Sequence, residues 1–255
     1  MDDIQTGDSG TARSVPFAVS GSRAVDRRAL RSAATLIFGG VVISLVAGLF
    51  HADAASANDH VASFTEYAKS DIWTGVHLGQ FIGMALLAGG VIALLAALNV
   101  RQGALALTAR FGALLAAVSL ALYGVLQAVD GVALKHAVDA WASAAEPVKA
   151  MRFVSAEGIR WLEWGMRSYH GFLFGSALII SGVVILATGR ISRTIGILMG
   201  LSGVAYLVQG WIIGAEGFAA ANAVPTLFGI VLTVVWTVWL LISAWRLKER
   251  AGEDA

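Results

Sequence analysis

Residues 166–188 read MRSYHGFLFGSALIISGVVILAT, and no charge follows Arg167 until Arg190. A helix rises about 1.5 Å per residue, so about 20 apolar residues cross a hydrocarbon core about 30 Å thick. A barrel strand would alternate apolar and polar side chains, which Leu178-Ile179-Ile180 and Val183-Val184-Ile185-Leu186 do not. The stretch therefore reads as a membrane-spanning helix, which satisfies its own backbone hydrogen bonds where no water can. Comparable runs cover about 33–50, 72–98, 105–128, 194–214 and 225–245. Bulk composition agrees: 57% of the 255 residues are apolar, 14% are charged and the mean hydropathy is +0.74. A soluble domain carries about 25% charged residues. The expected fold is all-α, six transmembrane helices in a bundle.

Lys and Arg set the expected orientation. Arg13, Arg23, Arg27, Arg28 and Arg31 precede the first span, Arg101 and Arg110 flank one short connection, Arg190 and Arg193 another, and Arg246, Lys248 and Arg250 follow the last span. The positive-inside rule places these connections and both termini in the cytoplasm. Residues 1–30, polar and without period, read as a disordered cytoplasmic tail, 31–247 as the transmembrane domain and 248–255 as a cytoplasmic C-terminal tail. The segment Phe50-His51-Ala52-Asp53-Ala54 resembles a signal-peptidase site. Its polar leader and apolar run are both long for a signal peptide, so the first span is expected to stay attached.

Two segments then fall on the outer side. The first, about 51–71, is small and acidic, with His51, Asp53, Asp59, His60, Glu66 and Asp71. In the second, a helix-compatible pattern runs past Asp130 without a breaker until Pro147, a residue suited to a helix's first turn. The apolar positions Val148, Met151, Val154, Ile159 and Leu162 then lead into the fourth span. An extended helical hairpin on the outer side, between spans 3 and 4, is the expected result. Its segment Arg160-Trp161-Leu162-Glu163-Trp164, with Arg167 four residues after Glu163, suits an interface-anchored helix or a docking edge for a partner or lipid.

At an offset of 92 residues, Gly79, Gly83, Leu86, Gly90 and Leu94 recur as Gly171, Gly175, Leu178, Gly182 and Leu186. Such identities suggest a duplicated two-helix hairpin, although limited alphabets inflate them. The pairs Gly79/Gly83 and Gly171/Gly175 suit close helix packing within the bundle or at a dimer interface, and packing within six spans is the simpler use.

Composition excludes several chemistries. The chain has no cysteine, which removes disulfides and thiolate sites, and its net charge of +1 without a basic stripe gives no reason to expect nucleic acid. Apart from Arg110, the inner halves of the spans carry no titratable residue, so proton relays and voltage sensing lack their usual groups. No serine-nucleophile elbow and no HExxH appear, and the spacing of His51, Asp53, His60, His77 and His170 makes no metal motif. A non-enzymatic role is expected, and no resident metal.

The outer ends are richer. His77 and Gln80, Gln127 and Asp130, Arg167 and His170, and Gln209 and Glu216 lie at similar depth on spans two to five. Gln80, Gln127, Asp130, Arg167, Gln209 and Glu216 are candidates for a polar pocket taking a small ligand, lipid or partner. The same residues also suit solvation by headgroups beside an aromatic belt of Trp73, Trp161, Trp164 and Trp211. His77 and His170 are the candidate ligands of a b-type heme, since bis-His ligation needs two imidazoles at equal depth. A small-solute transporter is a further alternative.

The stretches Asn58-Asp59-His60, His77-Leu78-Gly79-Gln80, Val129-Asp130-Gly131-Val132-Ala133-Leu134-Lys135 and Arg160-Trp161-Leu162-Glu163-Trp164-Gly165 resemble those of uncharacterised six-span bacterial integral membrane proteins. The resemblance implies a multi-pass protein of the bacterial plasma membrane and brings no activity, cofactor or catalytic residue. His on the second and fourth of six spans is similar to half the ligand pattern of cytochrome b561-type bundles, which would imply electron transfer. The third and fifth spans lack the histidines of that family's second heme.

Overall fold

A computed structural model describes residues 25–52 and 54–246, and among them there is no strand. The helices are α1 (Arg27–Gly48), α2 (His60–Ala68), α3 (Trp73–Ala97), α4 (Gly103–Ala128), a π-helical turn (Val129–Leu134), α5 (Lys135–Ala142), α6 (Glu146–Thr188), α7 (Arg193–Glu216) and α8 (Ala223–Arg246). Six of these runs are long and apolar enough to cross a membrane, α4 to α5 counting as one, which is compatible with a multi-pass membrane protein. Helix α1 starts earlier than the span expected from residue 33. The reason is Asp26, whose carboxylate accepts from the Ala29 amide at 3.0 Å and caps the first turn. Residues 27–30 are thus helix, not tail, while the rest of that expected tail through residue 24, and the C-terminal tail from 247, lie outside the described residues.

The six long helices close a ring, with α1 on α3, α3 on α4, α4 on α6, α6 on α7, α7 on α8 and α8 back on α1. Neighbours run antiparallel. At one end the Asp26 amide donates to Ala97 O at 3.1 Å and Arg31 Nε to Ala244 O at 3.4 Å. At the other end Asn58 Nδ2 donates to Glu216 O at 2.9 Å. Ile37, Leu94, Leu98, Leu178, Ile185 and Trp236 fill the interior, whereas Leu107, Phe111, Leu227 and Trp245 are exposed on the outside. An apolar exterior around an apolar core is what a lipid solvent permits and water penalises.

Glycines set two of the closest helix contacts. A Cβ on Gly175 would lie 2.6 Å from Gly203 O, and one on Gly182 would lie 2.5 Å from Gly196 O, so α6 and α7 meet backbone to backbone. A Cβ on Gly83 would lie 2.8 Å from Gly40 O, which joins α3 to α1 in the same way. Both glycine pairs singled out in the sequence therefore pack inside the bundle. They also limit the repeat: the glycine face of α3 meets the preceding long helix and that of α6 the following one. Close approach requires small residues wherever it occurs, so the identities do not describe equivalent packing.

A helical hairpin joins α5 to α6, as the pattern up to Pro147 leads one to expect. Helix α6 begins at Glu146 with Pro147 in its first turn and runs for 43 residues, about 65 Å at helical rise. Phe64, Tyr67, Trp73, Leu134, Val138 and Ala156 form a second core where α2 docks on the hairpin. Asp59 caps the start of α2 by accepting from the Ala62 amide at 3.1 Å. Lys135 Nζ donates to Tyr67 O and Ala68 O at its end, where a cation complements the helix dipole.

Candidate functional site

The hairpin end of the ring contains a buried charged cluster assembled from four elements. The π turn supplies Asp130, α3 supplies Trp73 and His77, α6 supplies Arg160 and Glu163, and α2 supplies Tyr67, with His51 reaching in from the loop after α1. The π turn is what aims Asp130. A turn of i→i+5 geometry inserts an extra residue and misaligns the local carbonyls, and such turns are frequent at functional sites. Side chains of α3 accept that misalignment: Trp73 Nε1 donates to Asp130 O at 2.9 Å and Thr74 Oγ1 to Gly131 O at 2.8 Å. Gly131 is required there, since a Cβ would lie 2.5 Å from His77 Cβ.

His77 is 1% exposed, with Nδ1 2.8 Å from Trp73 O and Nε2 3.0 Å from Asp130 Oδ2. Arg160, 3% exposed, stands between two carboxylates: its Nη1 is 3.2 Å from Glu163 Oε2 and 3.9 Å from Asp130 Oδ1. Its Nη2 donates to the Tyr67 hydroxyl at 3.1 Å, and the guanidinium lies over the Tyr67 and Phe218 rings. Burial pushes the Tyr67 phenol above its ordinary pKa, against the pull of Arg160, so the hydroxyl stays neutral and accepts. His51 packs against both aromatic neighbours, its ring centroid 4.9 Å from Trp73 and 5.3 Å from His77. Glu66 holds the loop beyond it, accepting from the Ala54 and Ala55 amides at 3.1 and 3.0 Å.

The sequence-predicted pocket residues are divided among three places. Asp130 joins the charged cluster. Gln80 and Gln127 meet each other, Nε2 of Gln127 lying 3.4 Å from Oε1 of Gln80. Arg167 and Gln209 line a separate cavity of about 70 Å³ with Tyr206, Pro225, Thr226, Gly229 and Ile230, where Gln209 Nε2 donates to Thr226 Oγ1 at 2.7 Å. Glu216 is exposed, and its backbone oxygen, not its carboxylate, accepts from Asn58. The anticipated pairing of Glu163 with Arg167 is replaced by Glu163 with Arg160, one turn earlier on the same helix. Trp73, assigned by sequence to the aromatic belt, is 1% exposed and belongs to the cluster, whereas Trp161 and Trp211 are exposed.

The two candidate heme ligands face different surroundings. His170 Nδ1 is 3.0 Å from Ser119 Oγ and 3.2 Å from Ser119 O, and its ring stacks on Phe174. Nε2 of His77, the atom an iron would need, faces Asp130, with Trp73, His51 and the π turn filling the space around the ring. A macrocycle bridging His77 and His170 does not fit that packing. Among the described residues, the group brought together as possible metal donors is His51, His77 and Asp130, whose ligand atoms all lie within 4.8 Å of one another. Sequence reasoning missed this grouping and the part of Arg160. The one local signal is a carboxylate, Asp130, at the end of an apolar span at the depth of His77. Comparison with family models, with curated proteins and with solved structures finds no match to this chain.

Proposed function

We propose that this chain is a multi-pass, non-enzymatic protein of a bacterial plasma membrane, with both termini cytoplasmic, whose outer end binds a small polar ligand or ion at the Asp130 cluster. Supporting the orientation, the arginine-flanked connections at 99–104 and 189–193 lie opposite the hairpin. The observation that carries the binding reading is the burial of His77, Asp130, Arg160 and Glu163 together at one end of the ring, with some of their polar atoms unsatisfied. Asp130 Oδ1 and Arg160 Nε are buried without a hydrogen-bond partner among the described residues, the nearest approach of that Oδ1 to Arg160 Nη1 being 3.9 Å. Leaving such an atom unpaired costs about 1–3 kcal/mol, which a ligand contacting it would recover.

Orientation is directly testable because the chain has no cysteine of its own. In intact cells a membrane-impermeant maleimide should label Ser143→Cys, on the exposed tip of the hairpin, and leave Gln102→Cys unlabelled until the membrane is opened. The reverse pattern would invert the topology. Binding is tested by thermal unfolding in mild detergent against amino acids, sugars, lipid-headgroup alcohols and inorganic ions. A ligand at 100 times its Kd stabilises by about 2.7 kcal/mol, a rise of about 5–10 °C in Tm for a chain of this size. At least one compound should produce such a rise in the wild type and none in Asp130→Asn. A flat panel, or a shift that survives Asp130→Asn, would remove the proposal.

A further inference from the structure

Proton bookkeeping at His77 points beyond a generic polar ligand. Trp73 O can only accept, so the 2.8 Å contact requires the proton on Nδ1. In a neutral imidazole, Nε2 then carries a lone pair, and that lone pair sits 3.0 Å from Asp130 Oδ2, an acceptor facing an acceptor. The contact needs a positive charge between the two atoms, either a second proton on the ring or a cation. A second proton would sit between Nε2 and Oδ2 in a charged pair, and a cation would occupy the same place between the same two atoms. Nearby, Arg160 stands between Asp130 and Glu163, and burial beside Asp130 pushes the Glu163 carboxyl up to about 8.

We propose that His51, His77 and Asp130 bind a divalent first-row transition ion of the zinc class, a proposal that rests on the reading of this cluster as a ligand site. Two imidazoles and one carboxylate suit such borderline ions, whereas magnesium and calcium prefer all-oxygen shells. Metal–donor bonds of about 2.0–2.2 Å put tetrahedral ligands about 3.3 Å apart. The Nε2–Oδ2 pair is already at 3.0 Å, and the 4.8 Å limit on the group leaves a short closure for His51, which stands on a loop. The Nδ1–H bond to Trp73 O is the outer contact that fixes a ligating histidine's tautomer. Three protein donors leave a fourth position for water or a bound solute.

The test uses the full chain in mild detergent, purified without a polyhistidine tag, stripped with a chelator and titrated with zinc chloride. Cobalt chloride follows as a spectroscopic probe. About one zinc per chain is expected, with visible cobalt bands of low symmetry. His51→Ala and Asp130→Asn should each weaken zinc by at least about 100-fold, since even outer contacts of such sites are worth 10–100-fold. His136→Ala, on the exposed face of α5, should bind as the wild type does. His51 is a half-buried loop residue and Asp130→Asn is isosteric, so folding of each is checked by gel filtration and helical circular dichroism. A folded wild type that takes up no zinc or cobalt, or His51→Ala and Asp130→Asn variants that bind normally, would overturn the metal site. If a non-metal compound still raises Tm in an Asp130-dependent way, the metal alone falls. If nothing does, the ligand site falls with it.

Discussion

Arg160→Ala is expected to destabilise the protein by about 3–5 kcal/mol, the cost of leaving buried charge without its partner. The side chain is 3% exposed and contacts Glu163, Asp130 and the Tyr67 hydroxyl, with the Tyr67 and Phe218 rings against its guanidinium. Its removal strands the Asp130 and Glu163 carboxyls and a phenol in a largely buried cluster, and forfeits the packing of the stem. Arg160→Lys should recover part of the loss only, because a point charge cannot address three acceptors in a plane. Combining Arg160→Ala with Glu163→Gln should cost less than the sum of the two, by about 0.5–3 kcal/mol of coupling. Denaturant titration in detergent reads all four, with Arg152→Ala, at an exposed position of the same helix, as the reference. A loss no larger than that of Arg152→Ala would mean the guanidinium is not what holds the cluster together.

Why Arg160 escaped the sequence reading is a matter of distance along the chain. Its neighbours in sequence, Trp161 and Leu162, are exposed, and Glu163 and Arg167 stand at the spacing of a helical surface pair. Within that local window an interface helix is a fair reading. Burial is imposed by residues far away: Asp130 through a π turn, Tyr67 through a short helix docked on the hairpin, and Phe218 through the connection to α8. None of these contacts has a period. The spans behave differently, because hydrophobic length and charge are written into each segment separately. Six long helices, the continuation past Asp130 and the start at Pro147 were all legible for that reason. The π turn was not, since Val129–Leu134 satisfies an α-helical pattern and only the pairing of Trp73 and Thr74 with its carbonyls fixes the extra residue. His51 was legible as a loop histidine, but its approach to His77 depends on how α1 leans on α3.

That lean is governed by glycine, and the corresponding contact between α6 and α7 supplies the second large effect. Gly203→Leu should abolish the folded state in detergent or lower its Tm beyond what any exposed substitution achieves. A Cβ at Gly203 would lie 2.5 Å from Gly175 O and 2.8 Å from Ile179 Cγ1, so the clash is with backbone as well as side chain. Neither rotamer change nor side-chain flexing relieves a backbone overlap, and the two helices would have to separate. Overpacking of this kind costs about 1–3 kcal/mol for small additions, and a leucine adds several heavy atoms to a gap that holds none. Separation would also disturb the neighbouring Trp236 Nε1 to Ser202 Oγ bond of 3.2 Å, which ties α8 to α7. On the same helix Gly200 has nothing within 4 Å of an added Cβ, so Gly200→Ala should be neutral or gain up to about 1 kcal/mol of helix propensity. The pair also separates two uses of these glycines. Were they a dimer seam, Gly203→Leu would shift the oligomeric state on gel filtration and leave the monomer's unfolding unchanged. Packing inside the ring requires the opposite, a lost or weakened monomer, because α6 and α7 are adjacent walls of the same bundle and the hairpin end rests on them.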